Sequence, residues 1–114
     1  MAILNLESAD VAPGVASVRV RGQVDSSNLD RLKASFDAVF ERKIYRIVLN
    51  LKEAQYLSSS AIGCLIGAYT TAIKNGGRLV LASTPLQVTE VLRLIGLTNV
   101  LRFADDENAA LAHF

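Results

Sequence analysis

The sequence predicts an α/β fold: a single domain with a mixed, mostly parallel sheet and the element order β-β-α-β-α-β-α-β-α. Two observations carry that reading. Short aliphatic runs, such as Ile47-Val48-Leu49-Asn50-Leu51, alternate with longer stretches whose apolar residues recur every three or four positions. Glycine, proline or serine marks the junctions between them. Strands alternating with helices imply parallel strands joined by right-handed crossovers. The 114 residues suit one domain, 1–114, with no linker or internal repeat.

The elements follow in order. Ile3 to Glu7 is short and mixed, as an edge strand would be, and Pro13-Gly14 makes a turn. From Val15 to Arg21 the pattern alternates, setting Ala16, Val18 and Val20 toward a core and Ser17, Arg19 and Arg21 toward water. Gly22-Gln23-Val24-Asp25 ends this strand. Ser26 or Ser27 can cap the next helix, whose Asp30 suits the positive end of the dipole. Leu29, Leu32, Phe36, Val39 and Phe40 give that helix one apolar face as far as about Arg42.

Ile44 to Leu51 reads as a central strand covered on both faces. Ser58-Ser59-Ser60 then opens a helix carrying Ile62, Leu65, Ile66, Tyr69 and Ile73 on one side and closing at Asn75-Gly76-Gly77. Gly63 and Gly67 inside it read as a close-packing pattern, and Cys64 as a small core residue. Arg78 to Ala82 is another buried strand. Thr84-Pro85-Leu86-Gln87 has the cap, proline and glutamine of a helix start, with Val88, Val91, Leu92 and Ile95 facing inward and Gly96 stopping it. Val100 to Phe103 is a last strand, and Asp105-Asp106-Glu107 begins a final helix.

Composition narrows the function. Hydrophobic residues make up 51% of the chain, enough for a core that buries roughly 65% of the unfolded surface. Twelve basic and eleven acidic side chains are dispersed along it for a net charge of +1, so no basic tract points to nucleic acid. No apolar run approaches the ~20 residues of a membrane span, and Met1 to Glu7 lacks the pattern of a leader, so a cytoplasmic protein without membrane insertion is expected. One cysteine and one histidine cannot build a soft metal site. The histidine, His113, stands next to the last residue, where chains fray and no partner would orient it, so it does not suit a serine-centred hydrolase, which needs a histidine that reaches the serine. Neither an enzyme, a metal nor a cofactor is expected.

The serine triplet carries what chemistry remains. A helix N-terminus presents unpaired N–H groups and partial positive charge, so it holds an anion well, and a hydroxyl there can accept a phosphoryl group. One cap needs one hydroxyl, and Ser58 is placed for it. Ser59 and Ser60 are then either further solvation of the helix start or the seat of a covalent switch.

The order of elements, the turn Gly22-Gln23-Val24-Asp25, the run at 47–51, and Tyr56-Leu57-Ser58-Ser59-Ser60-Ala61-Ile62-Gly63 resemble a STAS domain. Within it they resemble the bacterial anti-sigma factor antagonists. Gly76-Gly77-Arg78-Leu79-Val80-Leu81 and Val91-Leu92-Arg93-Leu94-Ile95-Gly96-Leu97 match later segments, so the resemblance spans nearly the whole chain. In that family the junction reads Asp-Ser-Ser-Gly-Leu, and its second serine is phosphorylated by a kinase that is also the anti-sigma factor.

The resemblance implies Ser60 as acceptor, ahead of Ser59 and Ser58. It implies partner contact through Gln23, Asp25, Ser26, Ser27, Asn28, Ser58, Ser59, Ala61 and Ile62. The implied partner is an anti-sigma serine kinase, with a phosphatase acting on Ser60 and a homodimer as further associations. Three positions that are acidic in the family, those of Gln23, Asn50 and Ser58, are neutral here, which lowers repulsion of a phosphate at Ser60. The alternative is a non-enzymatic scaffold or regulatory module, stressosome-like or transporter-associated, in which the serines only cap a helix. An anion or nucleotide site at the same helix start ranks third, because no second phosphate-binding element accompanies it.

Overall fold

The computed structural model describes residues 3–114; Met1 and Ala2, part of the N-terminal stretch inspected for a leader, lie outside the described residues. Among the described residues, strands β1 (Leu4–Ala12), β2 (Val15–Val24), β3 (Arg46–Leu57), β4 (Arg78–Ala82) and β5 (Arg102–Ala104) form one sheet in that spatial order. β1 pairs antiparallel with β2, and every later pair is parallel. Helices α1 (Leu29–Glu41), α2 (Ser59–Lys74) and α3 (Leu86–Leu94) are the crossovers, and α4 (Glu107–Ala110) runs into a 3-10 turn at Leu111–His113. The mixed, mostly parallel α/β fold and its element order are as the sequence predicts.

The alternation along β3 divides the core. Ile47, Leu49 and Leu51 join Leu32 and Phe36 of α1, Leu65 of α2 and Leu92 of α3 on one face. Val48 faces the other way, with Val15, Val80 and Ala82, under Ala110, Leu111 and Phe114. Right-handed crossovers between strands added in one direction put α1, α2 and α3 on the same face. The second face would be bare without the C-terminal segment. That segment changes one expectation: Ser17 is buried and Arg19 partly covered, both bonded to Glu107 of α4, so of the expected wet face of β2 only Arg21 is fully exposed.

Both central strands run further than their apolar patterns. β2 continues through Gly22 to Val24, because Gly22 does not end the strand but bends it. Gly22 has φ +102°, a Cβ there would overlap the carbonyl oxygen of Ile3, and the Gln23 amide donates to that oxygen at 2.9 Å. The register with β3 shifts at the same place. β3 follows to Leu57 through the mostly exposed stretch 52–56, of which only Ala54 is buried, because β2 is still there to pair with.

Two helix starts differ from expectation. Asn28, not Ser26 or Ser27, is the N-cap residue of α1, and its amide side chain is turned back into the preceding loop. α3 begins after Pro85 without a side-chain cap; Thr84 Oγ1 is buried and bonds no protein group. The inner faces are narrower too. Val91 of α3 and Ile95, which caps its C-terminus, are exposed, as are Ile73 of α2 and Val100, which precedes β5. Alanines do much of the packing of α2, with Ala61, Ala68 and Ala72 buried beside Ile62 and Leu65, and Cys64 is only half-buried. Gly63 and Gly67 are exposed with open space where a Cβ would stand, so they do not mark a close helix contact.

Candidate functional site: the serine junction

β2 and β3 end side by side, and the Ser58 amide donates to the Val24 carbonyl at 2.9 Å. That bond ties the serine junction to the loop between β2 and α1, so the residues singled out at 23–28 and 58–60 share one end of the sheet. The loop is tightly organised. Asn28 Oδ1 accepts from the Asp25 amide at 3.0 Å, and Asn28 Nδ2 donates to the Gln23 carbonyl at 2.9 Å. The Ser27 amide donates to the Asp25 carboxylate at 2.8 Å, and the Ser27 hydroxyl donates to the same oxygen. The Ser27 hydrogen bonds hold the Asp25 carboxyl below its ordinary value, so its charge is fixed at neutral pH.

The three serines have different surroundings. Ser58 Oγ accepts from the Ala61 amide at 3.2 Å and caps α2. Ser59 and Ser60 are exposed in the first turn, which contains no acidic residue. Ala61 and Ile62 face the core; their side chains fix α2 to the sheet and are not presented to a partner. Asn28 is buried as well, whereas Gln23, Ser26 and Ser27 are exposed. The accessible part of the predicted contact set is therefore Gln23, Asp25, Ser26, Ser27, Ser58 and Ser59, around Ser60.

Ser60 also opens onto a groove of about 380 Å³ between α1 and α2, lined by Lys33, Phe36, Gly63, Cys64 and Gly67 among others. The glycines leave the groove open above α2, and Lys33 at its edge bonds Asp37 at 3.0 Å. Burial pushes the Cys64 thiol up, away from the reactive thiolate.

A second polar centre was not foreseen. Glu107 accepts from Ser17 Oγ at 2.6 Å, from Arg19 Nε at 2.9 Å and Nη2 at 2.7 Å, and from Asn50 Nδ2 at 3.0 Å. Arg19 leads in holding the Glu107 carboxyl down to about 2. The available signal was Asn50, one polar residue within an apolar central strand, which needs a partner if it is buried. Its neighbours Ser17 and Arg19 are on β2, but the carboxylate lies 57 residues away in sequence from Asn50.

Among the described residues no helix is long and apolar enough to cross a membrane, and no group of three or more His, Cys, Asp or Glu is placed to hold a metal ion.

A STAS domain profile matches residues 8–110. The chain is 31% identical over 99 residues to the anti-sigma F factor antagonist of Paenibacillus polymyxa, covering 86% of this chain and 85% of that one. In structure it is similar to an anti-sigma factor antagonist from Mycobacterium paratuberculosis, with TM-score 0.86, 21% identity, and coverage of 97% of this chain and 93% of that one. It is also similar to the Bacillus cell fate determinant SpoIIAA in its phosphorylated form, with TM-score 0.77, 19% identity, and coverage of 96% and 100%. With the profile spanning both ends of the sheet and the serine junction between them, the chain belongs to the STAS domain family.

Proposed function

We propose that this protein is an anti-sigma factor antagonist, switched between partners by phosphorylation of Ser60. One observation carries the reading: Ser58 is used as the helix cap, while Ser60 is left exposed in the first turn, beside a groove and free of nearby acidic residues on its helix. The likeness to curated and solved anti-sigma factor antagonists supports it, as does the existence of a phosphorylated form of one of them. A scaffold whose serines only cap α2 accounts for Ser58 but leaves Ser60 without a role.

In this reading the unmodified junction and the 23–27 loop dock on an anti-sigma serine kinase, which releases its sigma factor. The Ser60 oxygen then takes the γ-phosphoryl group of kinase-bound ATP; ADP leaves, and the hydroxyl proton passes to a base of the kinase. The phosphate adds about −1.5 to −2 charges. Within the fold the N-terminus of α2 stabilises such an anion by roughly 0.3–1 kcal/mol, so the domain stays folded. At the docked surface the same charge has to be desolvated or meet like charge, at several kcal/mol. About 2.8 kcal/mol already weakens binding a hundredfold. The magnitudes favour control of association over control of folding.

The test is to incubate the protein with ATP and a candidate anti-sigma serine kinase from the same organism and to map phosphate by mass spectrometry. Phosphate on Ser60, absent in Ser60→Ala, is the expected result. A protein that stays unmodified, or is modified elsewhere, overturns the assignment.

A further inference from the structure

The arginines of the sheet are not alike. On β2, Arg19 meets the carboxylates of Glu7 and Glu107, and Arg21 meets that of Glu53. Arg46 begins β3 and Arg78 begins β4, and the two are register partners on neighbouring parallel strands. They alternate with Ile47 and Leu79 of the helix-covered face, so both side chains belong to the opposite face, with Val48 and Val80. Strands lie about 4.8 Å apart, and like charges set side by side at that spacing repel. Among the described residues no carboxylate is within salt-bridge distance of either guanidinium. Arg78 donates to the His113 carbonyl, which holds the C-terminal turn over this end of the sheet, and most of its N–H donors are left over. A cavity of about 140 Å³ opens here, lined by Arg46, Gly76, Gly77, Arg78, His113 and Phe114, with no acidic side chain among them.

We propose that this cavity binds a phosphate group, as the free anion or as the end of a small phosphomonoester. The two guanidinium groups are permanently charged planar forks, each suited to a pair of oxygens. A carboxylate has two oxygens, and one fork occupies both. A tetrahedral phosphate carries more charge and has further oxygens for the second fork and for His113, whose imidazole offers an N–H in either protonation state. Bound between the strands, the anion replaces the repulsion of Arg46 and Arg78 with a bridge. The volume is well below the ~300–1,000 Å³ of sites that enclose a drug-sized ligand, so the rest of a monoester would stay in solvent.

β3 starts at this cavity and ends at the serine junction, twelve residues later. At ~3.3 Å per residue the two sites are several Debye lengths apart, so the anion site neither uses nor depends on Ser60.

Arginine Nε–H resonances of the full chain, followed by NMR during titration with inorganic phosphate, glycerol 3-phosphate or acetate at constant ionic strength, test the site. Phosphate or the monoester should shift the Arg46 and Arg78 signals together with a dissociation constant of about 1 mM, and acetate should bind at least about tenfold more weakly. Arg46→Gln, at an exposed position, should weaken that binding at least about tenfold with an unchanged circular dichroism spectrum. Inorganic phosphate binding as well as the monoester makes the free anion the ligand; tighter binding of glycerol 3-phosphate makes it a monoester. Signals that do not saturate by about 20 mM of either, acetate that binds as well as phosphate, or an Arg46→Gln protein that binds like the wild type each overturns the proposal.

Discussion

Ser58 and Ser60 stand two positions apart in opposite surroundings. The Ser58 hydroxyl is bonded to the Ala61 amide, and the Ser60 hydroxyl faces solvent. Ser58→Ala should therefore cost about 1 kcal/mol, a drop of about 4 °C in thermal midpoint for a domain of this size. Ser60→Ala should change stability by less than about 0.5 kcal/mol. Thermal denaturation of the two variants checks that Ser58, and not Ser60, carries the structural role. Asn50 is the other decisive residue. An aspartate there, as the family resemblance implies at this strand end, would face the Glu107 carboxylate that Asn50 now bonds at 3.0 Å. Asn50→Asp should destabilise by about 1–3 kcal/mol at pH 7 and by less in acid, where protonation relieves the repulsion. Glu107 itself sets a pH dependence. Its carboxyl titrates near 2 in the fold against 4.5 ordinarily, so its stabilisation is complete above pH 4.5 and is lost as pH falls toward 2. Urea unfolding from pH 7 to pH 2 should show that decline in the wild type and a shallower one in Glu107→Gln.

At the scale of elements, α2 carries two exposed glycines with open space above them. Gly63→Ala and Gly67→Ala should each stabilise the protein by about 0.5–1 kcal/mol, since alanine holds a helix better and nothing is displaced. A loss of stability on thermal unfolding would mean that the groove is closed in solution. The helices were legible from spacing, but their faces less so. Val91 and Ile95 have inward spacing on α3, yet only Val88 and Leu92 are covered, because α3 lies over the margin of the sheet where β5 is three residues long. The cap of α2 was legible because Ser58 immediately precedes the helical pattern. That of α1 was not, because Asn28 spends its side chain on the Asp25 amide and the Gln23 carbonyl. The strand ends were hidden for a related reason. Gly22 has the composition of a terminator, and only the closeness of Ile3 reveals it as a bend within β2.

For the whole molecule, the fold class and element order could be read from alternating periodicities, and the crossover rule supplied the placement of α1 to α3 on one face. What covers the other face could not, since the Glu107 cluster joins residues up to 90 positions apart. The serine junction was visible because its signal is local: a strand, three hydroxyls and a helix. The bond from the Ser58 amide to the Val24 carbonyl, which unites that junction with the 23–28 loop, is a property of the folded sheet alone. The resulting surface is small, polar and organised before any partner arrives, so added charge should act on binding and leave the fold intact. The most direct measurement is the affinity of the proposed partner, an anti-sigma serine kinase, for this protein prepared unmodified and with phosphoserine at 60, alongside the thermal midpoint of each. A phosphorylated form bound at least about a hundredfold more weakly, with a midpoint within about 4 °C of the unmodified form, is the predicted result. Equal affinity of the two forms, or a phosphorylated form that binds weakly only because it has unfolded, would contradict it.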